Sequence, residues 1–383
     1  MNKEIVILGC GLSGMLTALA LANARIPTTI IECREVNHHS FCNNDIRTTA
    51  LTPSSVEFLN NINVWSGIKD HTSKMLEVYV VDNKAPEMLC LPNIQGNDAL
   101  GYIVQNSRFK QSLLQAVTDN QYIQVLDQCS YYKVDSHEDH SILYLSNNKT
   151  IKCDLLVVCD GYNSMARQHF FSDRVVKTYN QAALTFNIRH EKKHENCAVE
   201  HFMPSGPFAL LPLQDQHCSS VIWTNNPQQA ALLKTLPKDE FEYLVSRNCG
   251  TSYGNIVLDS EINLYPLKAR VANRYFYNTI ILVADSAHTV HPLAGQGLNQ
   301  GIKDIIEITQ LIADFGISKE IFQQYELLRA DDNYQMYIIT DKLNGIFSNH
   351  SKLLWYLRRQ GLEAIDHLSP LKNLLLNYAM GQR

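Results

Sequence analysis

The stretch ADSAHTVHPLAGQGLNQG (residues 284–301) gathers Asp285, Ser286, His288, His291, Pro292 and three glycines. Three chemistries draw on such residues: a metal site, a Ser-His-Asp hydrolase, and a backbone cradle for an anionic cofactor. The first two fit the spacing poorly. Zinc needs three or four convergent ligands, and beside His288 and His291 the segment offers Asp285 alone, in a Pro/Gly-rich loop and not on a helix. Triad members next to one another in sequence seldom meet in triad geometry, and the chain has no G-x-S-x-G turn. No metal is expected, and the cradle reading stands.

A second glycine cluster, GCGLSG (9–14), follows a strand-like run and opens a helix-like one. In this pattern Gly9 allows the tight turn, Gly11 lets a pyrophosphate approach the backbone, and Gly14 lets helix and strand pack closely. The helix start adds free N–H groups and the positive end of a dipole. Glu32 closes the next strand, where a carboxylate can accept from the ribose hydroxyls of an adenosine. It also disfavours a 2′-phosphate, which points to FAD or NAD over NADP.

The elements that must hold these residues are readable from apolar runs. EIVIL (4–8), TTIIE (28–32), CDLLVVCDG (153–161) and TIILVAD (279–285) resemble buried parallel strands, and LSGMLTALALANA (12–24) a helix. Residues 175–265 are richer in turns, with alternating stretches such as CAVEHFMP and FALLPLQ, which predict an antiparallel sheet inserted between pieces of a nucleotide-binding domain. From about 298 onward the period becomes helical, with Leu298, Ile302, Ile305, Ile306 and Ile312 on one face. The fold class is α/β: a Rossmann-like domain interleaved with a mainly antiparallel β-sheet substrate domain, plus C-terminal helices. The expected boundaries are 1–70, 100–174 and 266–330 for the cofactor domain, 71–99 and 175–265 for the substrate domain, and 331–383 for a C-terminal helical region.

A chain of 383 residues with 19% charged and 45% hydrophobic residues suits a globular enzyme, and the formal net charge of -5 argues against nonspecific nucleic-acid binding. Ten cysteines at scattered spacings, with no C-x-x-C, favour a reducing compartment. The N-terminus enters a strand at once, leaving no room for a signal peptide, and no apolar run reaches membrane-spanning length. A cytoplasmic protein is expected. Trp65, Trp223 and Trp355 are read as core or interface residues, and the closing LLLNYAM as a packed amphipathic helix.

Taken together, these motifs resemble the group A flavoprotein monooxygenases, with the para-hydroxybenzoate-hydroxylase-like fold, and more closely the ubiquinone-biosynthesis hydroxylases. GCGLSG with Glu32 is similar to the family's FAD fingerprint, DLLVVCDGYNSMAR (154–167) to its Asp-Gly motif, and ILVADSAHTVHPLAGQGLNQGIKD (281–304) to its Gly-Asp motif. The narrower match rests on DIRTTALTPSSVEFLNNINVW (45–65), GYIVQNSRFKQSLLQAV (101–117), GPFALLPL (206–213) and LRRQGLEAIDHLSPLKNLLLNYAMG (357–381).

The resemblance implies FAD, with NAD(P)H or another electron donor as reductant, and an O2-dependent hydroxylation of an aromatic ring through a C4a-hydroperoxyflavin. Gly9, Gly11, Ser13 and Gly14 would hold the pyrophosphate, Glu32 the ribose, and Arg47 and Asn106 the phosphate and ribityl region. Asp160 and Gly161 belong to the motif that touches FAD and the reductant in related enzymes. Asp285 would bind the ribityl chain, and Pro292, Gly295, Gln296, Gly297, Leu298 and Asn299 would pass beside the isoalloxazine, with amides after Gly295 facing its N1/C2 oxygen. No side chain stands out as a general base.

The strand GPFALLPL should lie over the flavin, with Leu210 and Pro212, together with Pro292, forming an apolar substrate wall suited to a prenylated phenol. Ala284 departs from the family, which usually has glycine there; its methyl is expected to crowd the backbone near the ribityl chain, so that flavin affinity is the quantity it bears on. The alternatives are a group A hydroxylase of another aromatic substrate and a catalytically idle FAD-binding scaffold subunit of a quinone-biosynthesis complex. Contacts with other quinone-biosynthesis proteins, and a peripheral position at the inner membrane, are left open.

Overall fold

Short β-branched runs that end on glycine or an acid become the central strands of a parallel sheet. The computed structural model describes residues 3–37, 40–43, 45–82, 88–92, 98–349 and 351; the motif 357–381, Trp355 and LLLNYAM lie outside them. The strand Ile5–Leu8 pairs in parallel with Leu155–Val158 on one side and Thr28–Ile31 on the other. Ile280–Leu282 extends the sheet beyond Leu155–Val158, and Ile123–Leu126 beyond Thr28–Ile31. Phe276–Tyr277 adds an antiparallel edge, giving six strands. All four residues of Ile5–Leu8 and of Leu155–Val158 are buried. The helices Leu12–Asn23 and Asn106–Thr118 pack on the sheet, and the antiparallel strands Tyr131–Ser136, Ser141–Leu145 and Thr150–Cys153 add Val134, Leu143 and Leu145 to the same core.

The four sequence-predicted parallel strands are all present, and the helix Leu12–Asn23 follows the first as expected. The helix Gln296–Phe315 packs on Leu12–Asn23 and buries Ile302, Ile305 and Ile312. It is followed by Lys319–Phe347, a 29-residue helix.

The second layer is a sheet of nine strands among the described residues. Its spine is the long strand Asp173–His190, which pairs antiparallel with Cys218–Asn225 and Asn263–Ala272. Gly206–Pro212 and Cys197–Met203 continue the antiparallel order. Glu77–Asp82 then joins Cys197–Met203 in parallel, so one pairing in this sheet breaks the antiparallel rule. A small three-stranded sheet, built from Thr48–Leu51, Gly101–Gln105 and Thr72–Met75, bridges the layers. Its strand Gly101–Gln105 leads straight into the helix Asn106–Thr118. All ten cysteines are free, and among the described residues no helix is long and apolar enough to cross a membrane.

Candidate active site

At the carboxyl ends of the parallel strands lies a cleft of about 690 Å³, the place where open α/β sheets bind ligands. Its floor is the first glycine turn. Gly9 has φ +93°, and a Cβ there would meet the Cys159 carbonyl oxygen at 2.9 Å. Gly14 does not reach the cleft. A Cβ on it would lie 1.9 Å from the Gly9 carbonyl oxygen, so its part is to let helix and turn pack closely, as its place in the motif predicts. Above Gly11 there is open space, and Ser13 also borders the cleft. The helix Leu12–Asn23 starts with no side-chain cap and no acid in its first turn. Its amides are therefore left for an anion.

Glu32 and Asp160 flank this floor. Glu32 Oε2 accepts from the Cys10 N–H at 2.9 Å, while Oε1 accepts from the Arg34 N–H and Nε. Burial raises its pKa, but these donors and the Arg34 charge more than offset that, so the carboxyl sits below its usual range. Oε2 keeps a lone pair for a ribose hydroxyl. Asp160 Oδ2 accepts from Tyr131 Oη at 2.9 Å, whereas Oδ1 is buried with no partner among the described residues. Burial holds this carboxyl above its ordinary pKa. An orphaned buried acceptor beside Gly161 fits a cofactor that brings its own donor.

Arg47 and Asn106 reach the cleft from the bridging sheet, through strand Thr48–Leu51 and helix Asn106–Thr118. Arg47 is not a bare cation: Nε and Nη2 each donate to Asp45 at 2.7 Å. Lys110 Nζ is also 3.1 Å from Asp45. Burial pulls the Asp45 pKa upward, but both cations outweigh it and push the value down to about 2. Asn106 accepts from Thr49 Oγ1 at 2.7 Å and its N–H donates to the Arg47 carbonyl.

The far wall comes from the 284–301 segment. Asp285, Pro292, Gly295, Gly297 and Leu298 line the cleft. The Asp285 carboxyl opens into it, and the surrounding protein raises its pKa, an effect that His288 and Arg47 partly counter. The helix Gln296–Phe315 begins there with no side-chain cap and no acid in its first turn, a second set of free amides at the cleft.

Two predicted residues face elsewhere. Gln296 borders a separate cavity. Asn299 turns back to the protein: Oδ1 accepts from the Thr52 N–H and Ser55 Oγ, and Nδ2 donates to the Ala50 carbonyl. Its side chain pins the bridging strand to the helix.

The remaining residues of the segment form a buried frame. His288 Nε2 lies 2.6 Å from Asp304 Oδ2, and Arg329 Nε donates to Asp304 Oδ1 at 2.8 Å. Asn333 Nδ2 and the Ala284 N–H complete the set around the same carboxylate. Burial favours the neutral acid, yet His288 and Arg329 hold the Asp304 pKa down at about 2. An ionised carboxylate only accepts, so His288 is the donor. Ser286 Oγ donates to the Val158 carbonyl at 2.5 Å. Ser286 and His288 thus have separate partners, the Asp285 carboxyl opens into the cleft, and the three form no triad.

Ala284 has φ +57° and is buried, with its methyl aimed at Gly301 and not at the cleft. What it presses toward is thus the Gly301 backbone. The methyl costs backbone strain of about 1 kcal/mol, and it fits because Gly301 has no Cβ, which would sit 2.6 Å away.

A second space of about 260 Å³ opens from the other side of Thr48, Pro292 and Gly295, residues that line both. Its wall is the large sheet, but with the opposite phase to that expected. Pro207, Ala209 and Leu211 face the cavity, while Leu210 packs with Phe208 and Val221 in the core behind, and Pro212 does not line it. Period-2 alternation supplied two faces; which one met the cofactor side depended on packing. Glu77–Asp82 adds Val78 and Val80, and Cys197–Met203 adds Glu200 and Phe202. The sequence signal for Glu200 was a lone charge in the alternating run CAVEHFM. Tyr131 carried no local signal, since it acts on Asp160, 29 residues away, and the link from Lys110 to Asp45 spans 65 residues.

Comparison with known proteins agrees with this geometry. A model of the FAD binding domain family matches residues 2–331. The chain is 30% identical to the ubiquinone hydroxylase UbiL of Rhodospirillum rubrum, covering 99% of this chain and 89% of that protein. It is 29% identical to the 3-demethoxyubiquinol 3-hydroxylase of Escherichia coli, covering 99% and 98%. Among solved structures, p-nitrophenol 4-monooxygenase PnpA of Pseudomonas putida superposes with a TM-score of 0.81 over 100% of this chain and 98% of that one, at 15% identity.

Proposed function

The chain belongs to the FAD binding domain family and, within it, groups with the ubiquinone hydroxylases; on that footing we propose that it hydroxylates the ring of a prenylated phenol precursor in ubiquinone biosynthesis. It is an FAD-dependent aromatic-ring monooxygenase. The observation that carries the substrate reading is the junction of two unlike spaces: a cleft that presents glycine turns, helix starts and charged side chains meets a mostly apolar cavity at Thr48, Pro292 and Gly295.

FAD, when bound, supplies the activation of O2 and the transfer of one oxygen atom to the ring. The protein's own residues do the rest. Gly11 and the amides of the helix Leu12–Asn23 would take the pyrophosphate, Glu32 the ribose, and Asp285 the ribityl hydroxyls. The uncapped start of Gln296–Phe315 would stabilise negative charge that develops at its end of the cofactor. Val78, Val80, Ala209 and Ile222 would hold the ring and exclude water, which keeps the reactive oxygen from being lost to solvent. An isoprenoid tail adds roughly 0.8 kcal/mol per CH2 buried, so affinity should rise with tail length until the cavity ends. A membrane-dissolved substrate also supports a working position at a membrane surface on the cytoplasmic side, where other proteins of the pathway would meet it.

The test is product analysis with the purified FAD-loaded protein. A prenylated phenol should gain one oxygen by mass spectrometry, at the expense of an added reductant, and a tailless phenol should turn over far more slowly. Equal turnover of both would overturn the substrate reading in favour of a soluble aromatic. Flavin binding without any substrate-stimulated oxidation of the reductant would point to the scaffold reading.

A further inference from the structure

Across four neighbouring strands, Val80, Glu200, Ala209 and Ile222 stand side by side in register and all face the cavity. On the same strand as Glu200, Ala198 and Phe202 flank it two residues either way. Glu200 is the odd member of this face: a carboxyl among apolar side chains, with no hydrogen-bond or ionic partner among the described residues. Among the described residues that line the cavity, the other titratable side chain is His291. It is already committed, since Nδ1 accepts from the Leu293 N–H and Nε2 faces Gln181 Oε1 at 3.2 Å. Tyr179 stacks edge-on against it, and burial lowers its pKa to about 4, which keeps it neutral.

Burial alone pushes the Glu200 carboxyl up to about 7. A partnerless acceptor in an apolar cavity is costly unless a ligand supplies the missing donor. An O–H donor meeting a carboxylate makes one of the stronger neutral-to-ion hydrogen bonds. A ring bearing a second carboxylate would instead place two like charges in a space with little water to screen them.

Resting on the prenylphenol reading above, we propose that Glu200 determines specificity, accepting a hydrogen bond from the phenolic hydroxyl of an uncharged ring and turning away rings that carry a carboxylate. This makes the cavity selective by charge as well as by apolar fit.

The test uses the full-length FAD-loaded protein and four ligands: a prenylated phenol, its O-methyl ether, the same phenol with a ring carboxylate, and the tailless phenol. Binding is read from flavin fluorescence between about pH 6 and about pH 8.5. The wild type should prefer the phenol over its ether and over the acid by roughly tenfold or more at the alkaline end, with the preference shrinking toward the acid end. Glu200→Gln, close to isosteric, should flatten the pH dependence and bring the three within about threefold while keeping its flavin content. Glu200→Leu removes the acceptor outright and gives the same readout should the glutamine variant fold poorly. Unchanged preference in a folded variant, or no preference in the wild type, overturns the proposal. A hydroxyl preference that follows Glu200 with no effect of the tail supports Glu200 and refutes the prenylphenol reading. A tail effect with no Glu200 effect does the reverse, and absence of any phenol binding sinks both.

Discussion

The cleft and the cavity share three residues and almost nothing else. The cleft is made of backbone: glycine turns, two uncapped helix starts, and acids whose charge is tuned by neighbours. The cavity is made of side chains on a sheet face, apolar but for a few polar groups such as Glu200. The turn at Gly9 and Gly14 tolerates no side chain, because an added Cβ collides with peptide atoms that cannot swing aside, whereas Gly11 faces open space. Side-chain walls can be remodelled one residue at a time. The cleft should therefore be brittle and the cavity adjustable.

The sharpest way to break that contrast is Gly14→Ala. Its methyl would press on the Gly9 carbonyl, and the expected cost is on the order of 4 kcal/mol with loss of flavin retention, read by thermal unfolding and bound-flavin absorbance. Retained flavin and stability would show that the turn can yield.

Next comes Asp304→Asn under the cleft, which leaves His288 and Arg329 without their shared carboxylate. Denaturant unfolding should show a loss of about 3 kcal/mol. Because the folded pKa of Asp304 is depressed to about 2, from an unfolded value of 3.8, its stabilisation is present above about pH 4 and lost as pH falls toward 2. The wild type should lose about 2 kcal/mol over that window through this group, and the asparagine variant should not.

Glu200 titrates in the opposite sense. Its folded pKa lies above the unfolded 4.5, so the penalty is absent below about pH 4.5 and grows as pH rises through 7. The ligand-free wild type should therefore weaken by up to about 3 kcal/mol toward pH 8 relative to Glu200→Gln. Parallel pH-stability curves for the two proteins would remove Glu200 from the list of unpaired buried acids.

Ala209→Phe tests whether the cavity can be altered alone. Filling it should lower prenylphenol affinity by about tenfold, near 1.4 kcal/mol, with flavin content unchanged. Smallest of all is Ala284→Gly. It relieves a positive φ at the cost of greater unfolded-chain freedom, for a gain below about 1 kcal/mol, and flavin retention should not move, since the methyl points at Gly301. A rise in flavin affinity would show that this residue crowds the backbone near the ribityl chain.

Much of the cleft was legible in the chain because its signals are local. Gly9, Gly11 and Glu32 sit within one strand-turn-helix-strand unit, and their spacing reports what the backbone must do. The strands Ile5–Leu8, Leu155–Val158 and Ile280–Leu282 were visible as apolar runs because both of their faces are buried. The same logic failed at Leu210 and Pro212. Alternation there is real, but either face could have met the cofactor side, and Leu210 went into the core behind. Asn299 was read as a cofactor neighbour from its motif, and its side chain ties the helix to Thr52 and Ser55, 247 and 244 residues away in sequence.

The sequence by itself determined the architecture class, the nucleotide turn and the family, since turn chemistry and burial period act between near neighbours. Tertiary structure alone decided that Tyr131 meets Asp160, that Lys110 and Arg47 share Asp45, that Ala284 leans on Gly301, and that Glu200 stands unpaired in an apolar wall. Each of these depends on which faces of distant elements pack together, and a side chain's charge and cost are set by those neighbours and not by its place in the chain.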